Sequence, residues 1–363
     1  MATTDYPVGH PLAVKLWTRK LFHEVFGMSY VGQFMGKGPR SLFQIKGETQ
    51  KGPGDKITFG LRKLLQGDGV QGDNTQEGNE ESLNTYTDAV FINQLRHAVR
   101  TGGRMSEQRV PFSVRDEARE GLEDWWVERL ETSFANQLTG NTQQTDTRYT
   151  GNNTVTAPTS SRIIAAGGES SEASLSATTT HAIKLADLDR AVAKAKVRNA
   201  AGDPRIRPIN VDGKNLWVTF LHPWQVYQMR RDASTAGNFY DVQKAMLQGG
   251  KISDNPIVTG ASFIYNSVIV HEWDYLPQVP DASAPGSDGT NYRRGVFCGA
   301  QSLVVAYGQD HGPNKMSWEE ELFDYKNQLG VSAGCIIGAK KSVFDGVDFS
   351  TIVLSGYAPD PSA

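Results

Sequence analysis

An acidic, glycine-rich segment between two strand-like stretches is the feature that most constrains how this chain folds. Residues 67–84, here called the tongue, contain five carboxylates and four glycines but almost no large apolar side chains. Such a segment has too little apolar surface to bury itself against a core. We therefore expect the tongue to project outward, with these acidic residues exposed: Asp68, Asp73, Glu77, Glu80 and Glu81.

Composition indicates a globular protein with one sizeable core, arranged in about two lobes. The chain has 363 residues, of which 38% are hydrophobic and 21% charged, and its net charge of −3 shows no overall basic excess. It contains no apolar run long enough for a membrane span and no signal-peptide pattern at its start, so we expect that the chain is neither secreted by that route nor membrane-spanning. Cys298 and Cys335 lie in apolar stretches, which predicts buried thiols and folding in the cytosol.

Charge is distributed unevenly along the first part of the chain. Residues 1–63 hold ten Lys and Arg against four Asp and Glu, whereas residues 64–90 hold six acidic residues and no basic ones. One interpretation is two solvated faces of a single domain. The other is that a basic arm and an acidic tongue dock on neighbouring copies of the chain, with opposite charges setting the register.

A long amphipathic helix is predicted over residues 113–139. Ser113 is a good N-cap, Asp116 follows three residues later, and Gly140 supplies a left-handed stop. Apolar residues recur at every fourth position, and the resulting stripe winds around the helix because four residues turn it through more than a full circle. The helix must therefore curve or meet different neighbours along its length. The stripe comprises Val114, Ala118, Leu122, Trp126, Leu130, Phe134 and Leu138.

The remainder of the chain predicts an α+β fold. Residues 141–180 are rich in Thr, Ser, Asn, Gln and Gly, so we expect an extended surface excursion there. Apolar periodicity then predicts a helix from 185 to about 202, a second helix opened by Pro223, and a third over 240–247. Strands are predicted over 216–221, 263–271, 295–307, 316–322, 329–337 and 349–357.

Three motifs imitate active or binding sites. Gly67–Gly72 matches GxGxxG, but further acids follow where a dinucleotide site needs a helix N-terminus. Gly330–Gly334 matches GxSxG, but no histidine follows it and the next residues continue as a strand. A calcium loop starting at Asp73 has the glycine in place but lacks the closing glutamate, so at most a weak divalent-ion contact is expected. The sequence predicts no catalytic residues, no metal site and no cofactor.

Several blocks of sequence, spread over most of the chain, are informative when taken together. They are Gly54–Phe59, Gly67–Asp73, Glu77–Glu81, Gln94–Val99, Met105–Arg109, His222–Pro223, Val270–Glu272 and Arg294–Gln301. These blocks resemble major capsid proteins of tailed phages of the coliphage N-four type. The resemblance implies a Hong Kong 97-type shell fold: an N-terminal arm (1–50), an extended β-hairpin loop (51–112), a peripheral domain with a spine helix over 113–139 (113–200 and 313–363), and an axial domain (201–312).

The resemblance also implies a function carried by surfaces. It implies a major capsid protein that forms hexamers and pentamers of an icosahedral head, with packaged double-stranded DNA as a nonspecific partner. Other implied partners are the portal and, where one is needed, a scaffold or decoration protein; the implied location is the virion capsid, assembled in the host bacterial cytoplasm. The competing interpretation, a stand-alone α+β enzyme or ligand-binding module, has no convergent site in its favour.

A run of five arginines leads into the predicted spine helix. These side chains are candidates for subunit contacts or for nonspecific contact with phosphate, and we favour subunit contacts. The phage that names the fold joins its subunits through a lysine in the extended loop. Because residues 64–104 contain no lysine, we expect no such bond here. The arginines are Arg96, Arg100, Arg104, Arg109 and Arg115.

Overall fold

The computed structural model shows an α+β protein built on two sheets and one long helix. It describes residues 29–47, 54–62, 69–82, 85–111, 113–197, 203–211, 213–231, 260–278, 291–309, 311 and 316–362. The helices in these ranges are α1 (Arg104–Arg109), α2 (Val114–Thr139), α3 (Leu185–Lys196) and α4 (Pro223–Arg231). The predicted helix over 240–247 and the region around Gly202 lie outside the described residues.

The strands of the first half of the chain are short, except around the tongue. They are β1 (Met35–Gly36), β2 (Phe43–Lys46), β3 (Lys56–Arg62), β4 (Thr85–Phe91), β5 (Asn93–Arg100) and β6 (Ile163–Ala165). The second half contains β7 (Ile209–Val211), β8 (Lys214–Leu221), β9 (Phe263–Tyr265), β10 (Val268–Glu272), β11 (Tyr292–Cys298), β12 (Leu303–Tyr307), β13 (Ser317–Phe323), β14 (Gln328–Lys341), β15 (Val343–Phe344), β16 (Val347–Asp348) and β17 (Thr351–Tyr357).

Two sheets organise these strands. The first has the order β1-β2-β12-β14-β13, and β5 pairs with β14 as a sixth strand. The second has the order β6-β17-β11-β8-β10-β9, and β7 pairs with β8. Strands β3 and β4 form a separate antiparallel hairpin from Lys56↔Phe91 to Arg62↔Thr85. Each sheet draws strands from several of the predicted domains, so the sheets do not follow the predicted domain boundaries.

Helix α2 confirms the predicted spine helix. The Ser113 hydroxyl accepts a hydrogen bond from Asp116 N, and Gly140 has φ 65°, the left-handed conformation that glycine adopts most easily. The apolar stripe is buried from Ala118 to Leu138, and residues 133–140 are buried on every side. The helix contacts β5, β11, β12 and β14, so it meets several different neighbours, as predicted.

Two apolar clusters cover the two faces of the second sheet. Phe220, Val296 and Cys298 point toward the cluster shared with α2 and the first sheet. Trp217, Phe297 and Leu354 point the other way, toward α3 and α4. This alternation follows from the two-residue period of a strand buried on both faces. Both cysteines are buried and free, as predicted.

Residues 295–307 form two strands in different sheets, which corrects the prediction of one continuous strand. The break lies at residues 299–302, where Gln301 takes a left-handed φ of 62°. A side chain on Gly299 would lie 2.4 Å from Ile206 and 2.5 Å from a backbone oxygen, so only glycine allows this close crossing. The predicted strand over 263–271 is likewise a hairpin, because Asn266 and Ser267 both have positive φ.

Residues 141–180 are exposed or half-exposed over most of their length, as their composition predicted, but the segment is also anchored in the fold at several points. Val155, Ile164 and Leu175 are buried there, and β6 joins the second sheet beside β17. Polar residues of the segment are buried as well, because they bond to distant parts of the chain. Asn153 and Glu172 are the main examples, and their partners are described below.

Candidate subunit-contact surfaces

The base of the β3–β4 hairpin is fixed to the body of the protein. The side-chain amide of Asn153 accepts from Phe91 N and donates to Phe91 O, both at 2.9 Å, so it continues the ladder as a strand would. Asp88 forms an ion pair with Lys340 and accepts from Val343 N at 3.1 Å. These polar contacts hold the end of β4 to the first sheet.

Close packing adds to this attachment. Ile57 and Val90 are buried against Val304 of the first sheet, and the ring of Phe59 meets that of Phe344 at 5.7 Å. A side chain on Gly338 would lie 2.0 Å from the backbone oxygen of Phe91, so the hairpin crosses β14 in backbone contact. The hairpin therefore leaves the body in a defined direction.

The tongue at the other end of the hairpin is exposed throughout its described part. Every residue from 69 to 82 is exposed, which confirms the predicted exposure of Asp73, Glu77, Glu80 and Glu81. Asp68 lies outside the described residues. Hydrogen bonds within the tongue are local, as between Gly78 N and Glu80 Oε2 at 2.7 Å. The tongue is thus shaped by its own turns rather than by packing on the body.

The motifs that imitate active sites have plain structural roles. No helix follows Gly69 and Gly72 in residues 69–82; both glycines have positive φ and serve bends in the tongue. Residues 330–334 lie inside β14, as the strand interpretation predicted. Among the residues with a described position, no three His, Cys, Asp or Glu side chains are grouped as metal ligands.

The five arginines of the basic run do not share one surface. Arg96 and Arg100 lie on β5, whereas Arg104 and Arg109 are the first and last residues of α1; all four are exposed. Arg115, in the first turn of α2, donates from Nε and Nη2 to Glu320 Oε1 at 2.9 and 2.6 Å. Its charge is engaged within the chain, so it is the least suited of the five to contact a partner.

The sequence analysis missed an acidic strand beside this basic one. Glu319 and Glu321 on β13 are exposed, and β13 and β5 flank the same central strand, β14. The signal was present as three consecutive glutamates, 319–321, inside an apolar stretch. Alternation along a strand places the outer two on one face and turns Glu320 to the other, toward Arg115.

A buried carboxylate joins three parts of the fold. Glu131 of α2 accepts from Ser29 Oγ at 2.6 Å, Val31 N at 3.0 Å and Trp273 Nε1 at 2.6 Å. Burial raises the pKa of Glu131, while these three hydrogen bonds act in the opposite direction. The contact fixes residues 29–31 and the segment after β10 to the spine helix, and nothing in the local sequence predicted it.

Comparison with known proteins identifies the family. The model of a family described as phage capsid protein matches residues 5–360. The chain belongs to the phage capsid protein family. This capsid protein is 25% identical over 358 residues to the major capsid protein of Pseudomonas phage KPP25, covering 92% of this chain and 90% of the relative.

Solved structures agree with that assignment. This capsid protein is similar to the capsid of Ralstonia phage GP4, with a TM-score of 0.79 and 29% identity over 99% of both chains. It is also similar in fold to the cyanophage Pam1 capsid asymmetric unit, with a TM-score of 0.71 and 21% identity over 92% of this chain and 93% of that one. The predicted Hong Kong 97-type α+β shell fold is confirmed, whereas the narrower N-four assignment stays a prediction.

Family membership decides between the two functional interpretations. This capsid protein is a structural component of a phage head and not a stand-alone enzyme. In the part of the chain that the structure describes, no helix has both the length and the hydropathy needed to cross a membrane. The candidate functional regions of this protein are therefore the contact surfaces described above.

Proposed function

We propose that this capsid protein is the major shell subunit of a tailed double-stranded DNA phage, assembling into hexamers and pentamers of an icosahedral head. The observation that carries the proposal is the exposed tongue on a hairpin with a fixed base. A segment with almost no apolar surface of its own cannot bury itself against the body, so any burial of the tongue has to come from another molecule. In a shell made of one repeated subunit, that molecule is a neighbouring copy.

The domain division implied by the family resemblance belongs to this proposal. Residues 1–50 act as the arm, 51–112 as the extended loop, 113–200 with 313–363 as the peripheral domain, and 201–312 as the axial domain. The β3–β4 hairpin and tongue fall within the extended loop, and α2 is the spine of the peripheral domain. Strands shared between these segments tie the domains into one body.

The acidic side chains of the tongue contact the arginines of helix α1 on a neighbouring copy. Arg104 and Arg109 are both exposed and opposite in charge to the tongue. Met105 between them is 66% exposed and offers apolar area for the same contact. Complementary charge mainly sets register and the rate of encounter, while apolar burial contributes most of the affinity.

A phage head that encloses DNA gives this capsid protein further partners. Exposed arginines that face the interior contact packaged duplex phosphates without reading sequence. A portal protein occupies one vertex, and a scaffold or decoration protein assists where the shell needs one. Assembly takes place in the host bacterial cytoplasm, and the product is the virion capsid.

Removal of the tongue tests the central claim. In one variant Gly-Ser replaces residues 69–82; a milder variant carries Asp73→Asn, Glu77→Gln, Glu80→Gln and Glu81→Gln. We expect the wild-type chain to form capsomers or closed shells in negative-stain micrographs and sedimentation. The deletion should give unassembled protein with an unchanged circular dichroism spectrum, and the neutralised variant should assemble more slowly.

Two results would contradict the proposal. One is a deletion variant that still closes into shells with wild-type yield. The other is a wild-type chain that stays a compact monomer at all concentrations, with the tongue protected from protease. The matched control is Asp360→Asn, which removes a partly exposed carboxylate far from the tongue in sequence and should leave assembly unchanged.

A further inference from the structure

At one end of the first sheet, two edge strands lack a second strand partner among the described residues. Over residues 328–334, β14 pairs with β13 on one side, and over 330–337 it pairs with β5 on the other. In the described part of the chain, β5 and β13 each pair with β14 alone. Each edge therefore presents a row of backbone N–H and C=O groups that another strand can pair with.

The two edges carry opposite charge on the same face of the sheet. Cross-strand partners share a face, and the register aligns Arg100 with Gly330 and then with Glu321. Ala98, Ser332 and Glu319 form the next row in the same way. Arg96 and Arg100 thus mark one edge, and Glu319 and Glu321 mark the other.

Over residues 330–334, the strand between the two charged edges, β14, carries only small side chains on this face of the sheet. Gly330, Ser332 and Gly334 face the same way as the charges, so no large side chain stands between them. The two edges are about 9–10 Å apart, two strand spacings, so an ion pair between them within one chain requires a side chain to reach across β14. Arg100 does reach across β14, but to an aromatic ring rather than to a carboxylate: its guanidinium carbon lies 4.5 Å from the centre of the Phe323 ring on β13.

We propose that copies of this capsid protein join edge to edge, with β5 of one copy beside β13 of the next, so that the sheet continues between subunits. The inference rests on the proposed shell function and names the surface that joins neighbours within it. Both strands run antiparallel to β14 and are therefore parallel to each other. Continuing the sheet in the same orientation gives a parallel pair with the arginines of one copy next to the glutamates of its neighbour.

The geometry of this contact suits a ring. Because the basic edge meets the acidic edge, each copy uses a different surface for each of its two neighbours. Such a head-to-tail contact closes into a ring when the rotation between copies allows it. Exposed edge strands normally carry charge that prevents pairing between copies. Edges of opposite sign attract instead, so here the charge selects one pairing and rejects β5–β5 and β13–β13 contacts.

Charge reversal tests the pairing. We expect Arg96→Glu with Arg100→Glu to abolish particles, and Glu319→Arg with Glu321→Arg to do the same. The variant with all four changes exchanges the two signs and should regain particles. Arg96→Lys with Arg100→Lys keeps the charge and should assemble as wild type does. Particle yield is measured by sedimentation and micrographs, and the circular dichroism of each variant verifies its fold.

Mixing the two assembly-blocked variants gives a second readout. One variant has two acidic edges and the other two basic edges, so each should bind the other but not itself. Sedimentation velocity should show complexes with equal amounts of the two variants. Failure of the fourfold variant to regain particles, together with failure of the mixture to associate, would overturn the inference. So would wild-type assembly by either blocked variant, because the edge charges would then serve only to prevent aggregation.

Engineered cysteines test the contact without requiring closed shells. Within one chain, Ala98 and Glu319 flank Ser332 on opposite sides, about 9–10 Å apart, beyond the roughly 7 Å that a disulfide spans. Mild oxidation of the full chain carrying both Ala98→Cys and Glu319→Cys should therefore give a ladder of oligomers, and each single variant should not. A ladder without wild-type shells would contradict the shell function but support the edge contact. If shells form but neither the disulfide ladder nor the charge rescue is seen, the shell function is supported and the edge contact is contradicted.

Discussion

Replacing Arg294 by methionine should destabilise the protein strongly, because Arg294 closes the end of the spine helix from within the core. Its Nε and Nη2 donate to the two oxygens of Glu172 at 2.8 and 2.5 Å. Its Nη1 donates to the carbonyl of Gly140 at 3.2 Å, where the last carbonyls of α2 lack helical partners. The two charged side chains are only 4% and 6% exposed.

The size of the effect follows from the charge that is left behind. Arg294→Met leaves the Glu172 carboxylate buried without its cation, and breaking a buried pair in this way costs about 3–5 kcal/mol. With an unfolding entropy of roughly 2.1 cal/mol/K per residue, a chain of this size loses about 1.3 °C in Tm per kcal/mol. We therefore expect a fall of about 4–7 °C. Glu172→Leu should give a similar fall, because it leaves the buried guanidinium without its carboxylate partner.

Calorimetry and urea titration of dilute, unassembled protein measure both values. The double variant Arg294→Met with Glu172→Leu provides the control, because replacing both charges with apolar groups removes the uncompensated one. It should lose less than the sum of the two single variants, and less than either alone if the core repacks. A loss below about 1 kcal/mol for Arg294→Met, or full additivity in the double variant, would refute this account of the pair.

Three further predictions concern single positions. Burial lowers the pKa of His222 from 6.5 to about 4, and the charge of Arg293 contributes to the shift. Because the pKa in the folded state lies below that in the unfolded state, the contribution of neutral His222 to stability is complete above pH 6.5 and is lost as the pH falls toward 4. His222→Asn keeps an acceptor for the first turn of α4 but does not titrate, so its urea midpoint should change less over that range than that of wild type. Gly338→Ala should cost about 1–3 kcal/mol by overpacking and increase hydrogen exchange in β3 and β4, because its methyl group would collide with Phe91 O; unchanged exchange would contradict this. Ser113→Ala should cost about 1 kcal/mol in urea titration through loss of the N-cap, and no measurable loss would show that the cap is dispensable.

The spine helix was predictable because its signals are local. The N-cap residue, the apolar residues at every fourth position and Gly140 all lie within the segment that they define. The exposure of the tongue was predictable for a related reason, since a segment without apolar side chains cannot form a core wherever the rest of the chain lies. Neither inference needed knowledge of distant partners.

Features that depend on distant partners were not predictable in the same way. Composition placed residues 141–180 on the surface, but the structure buries Asn153 and Glu172, whose partners lie 62 and 122 residues away. The break between β11 and β12 depends on a close crossing with Ile206, which a strand-like sequence does not reveal. The five arginines are near one another in sequence, yet Arg115 pairs across the fold with Glu320 and the others divide between a strand and a helix.

The hairpin combines a fixed base with an unsupported tip, and this difference sets the strength of each contact between copies. Because Asn153 and the backbone crossing at Gly338 hold the base, a neighbour meets the tongue in a limited range of positions, and little orientation is lost on docking. The tip still has to be ordered, at about 1–2 kcal/mol for each residue whose backbone becomes fixed, and its own turns offset only part of that cost. A single docked tongue should therefore bind weakly. Closure of a ring changes this balance, because the last contacts form within one assembly at high effective concentration. Assembly should accordingly be steeply concentration-dependent, with subunits and closed capsomers both present and few partial rings between them.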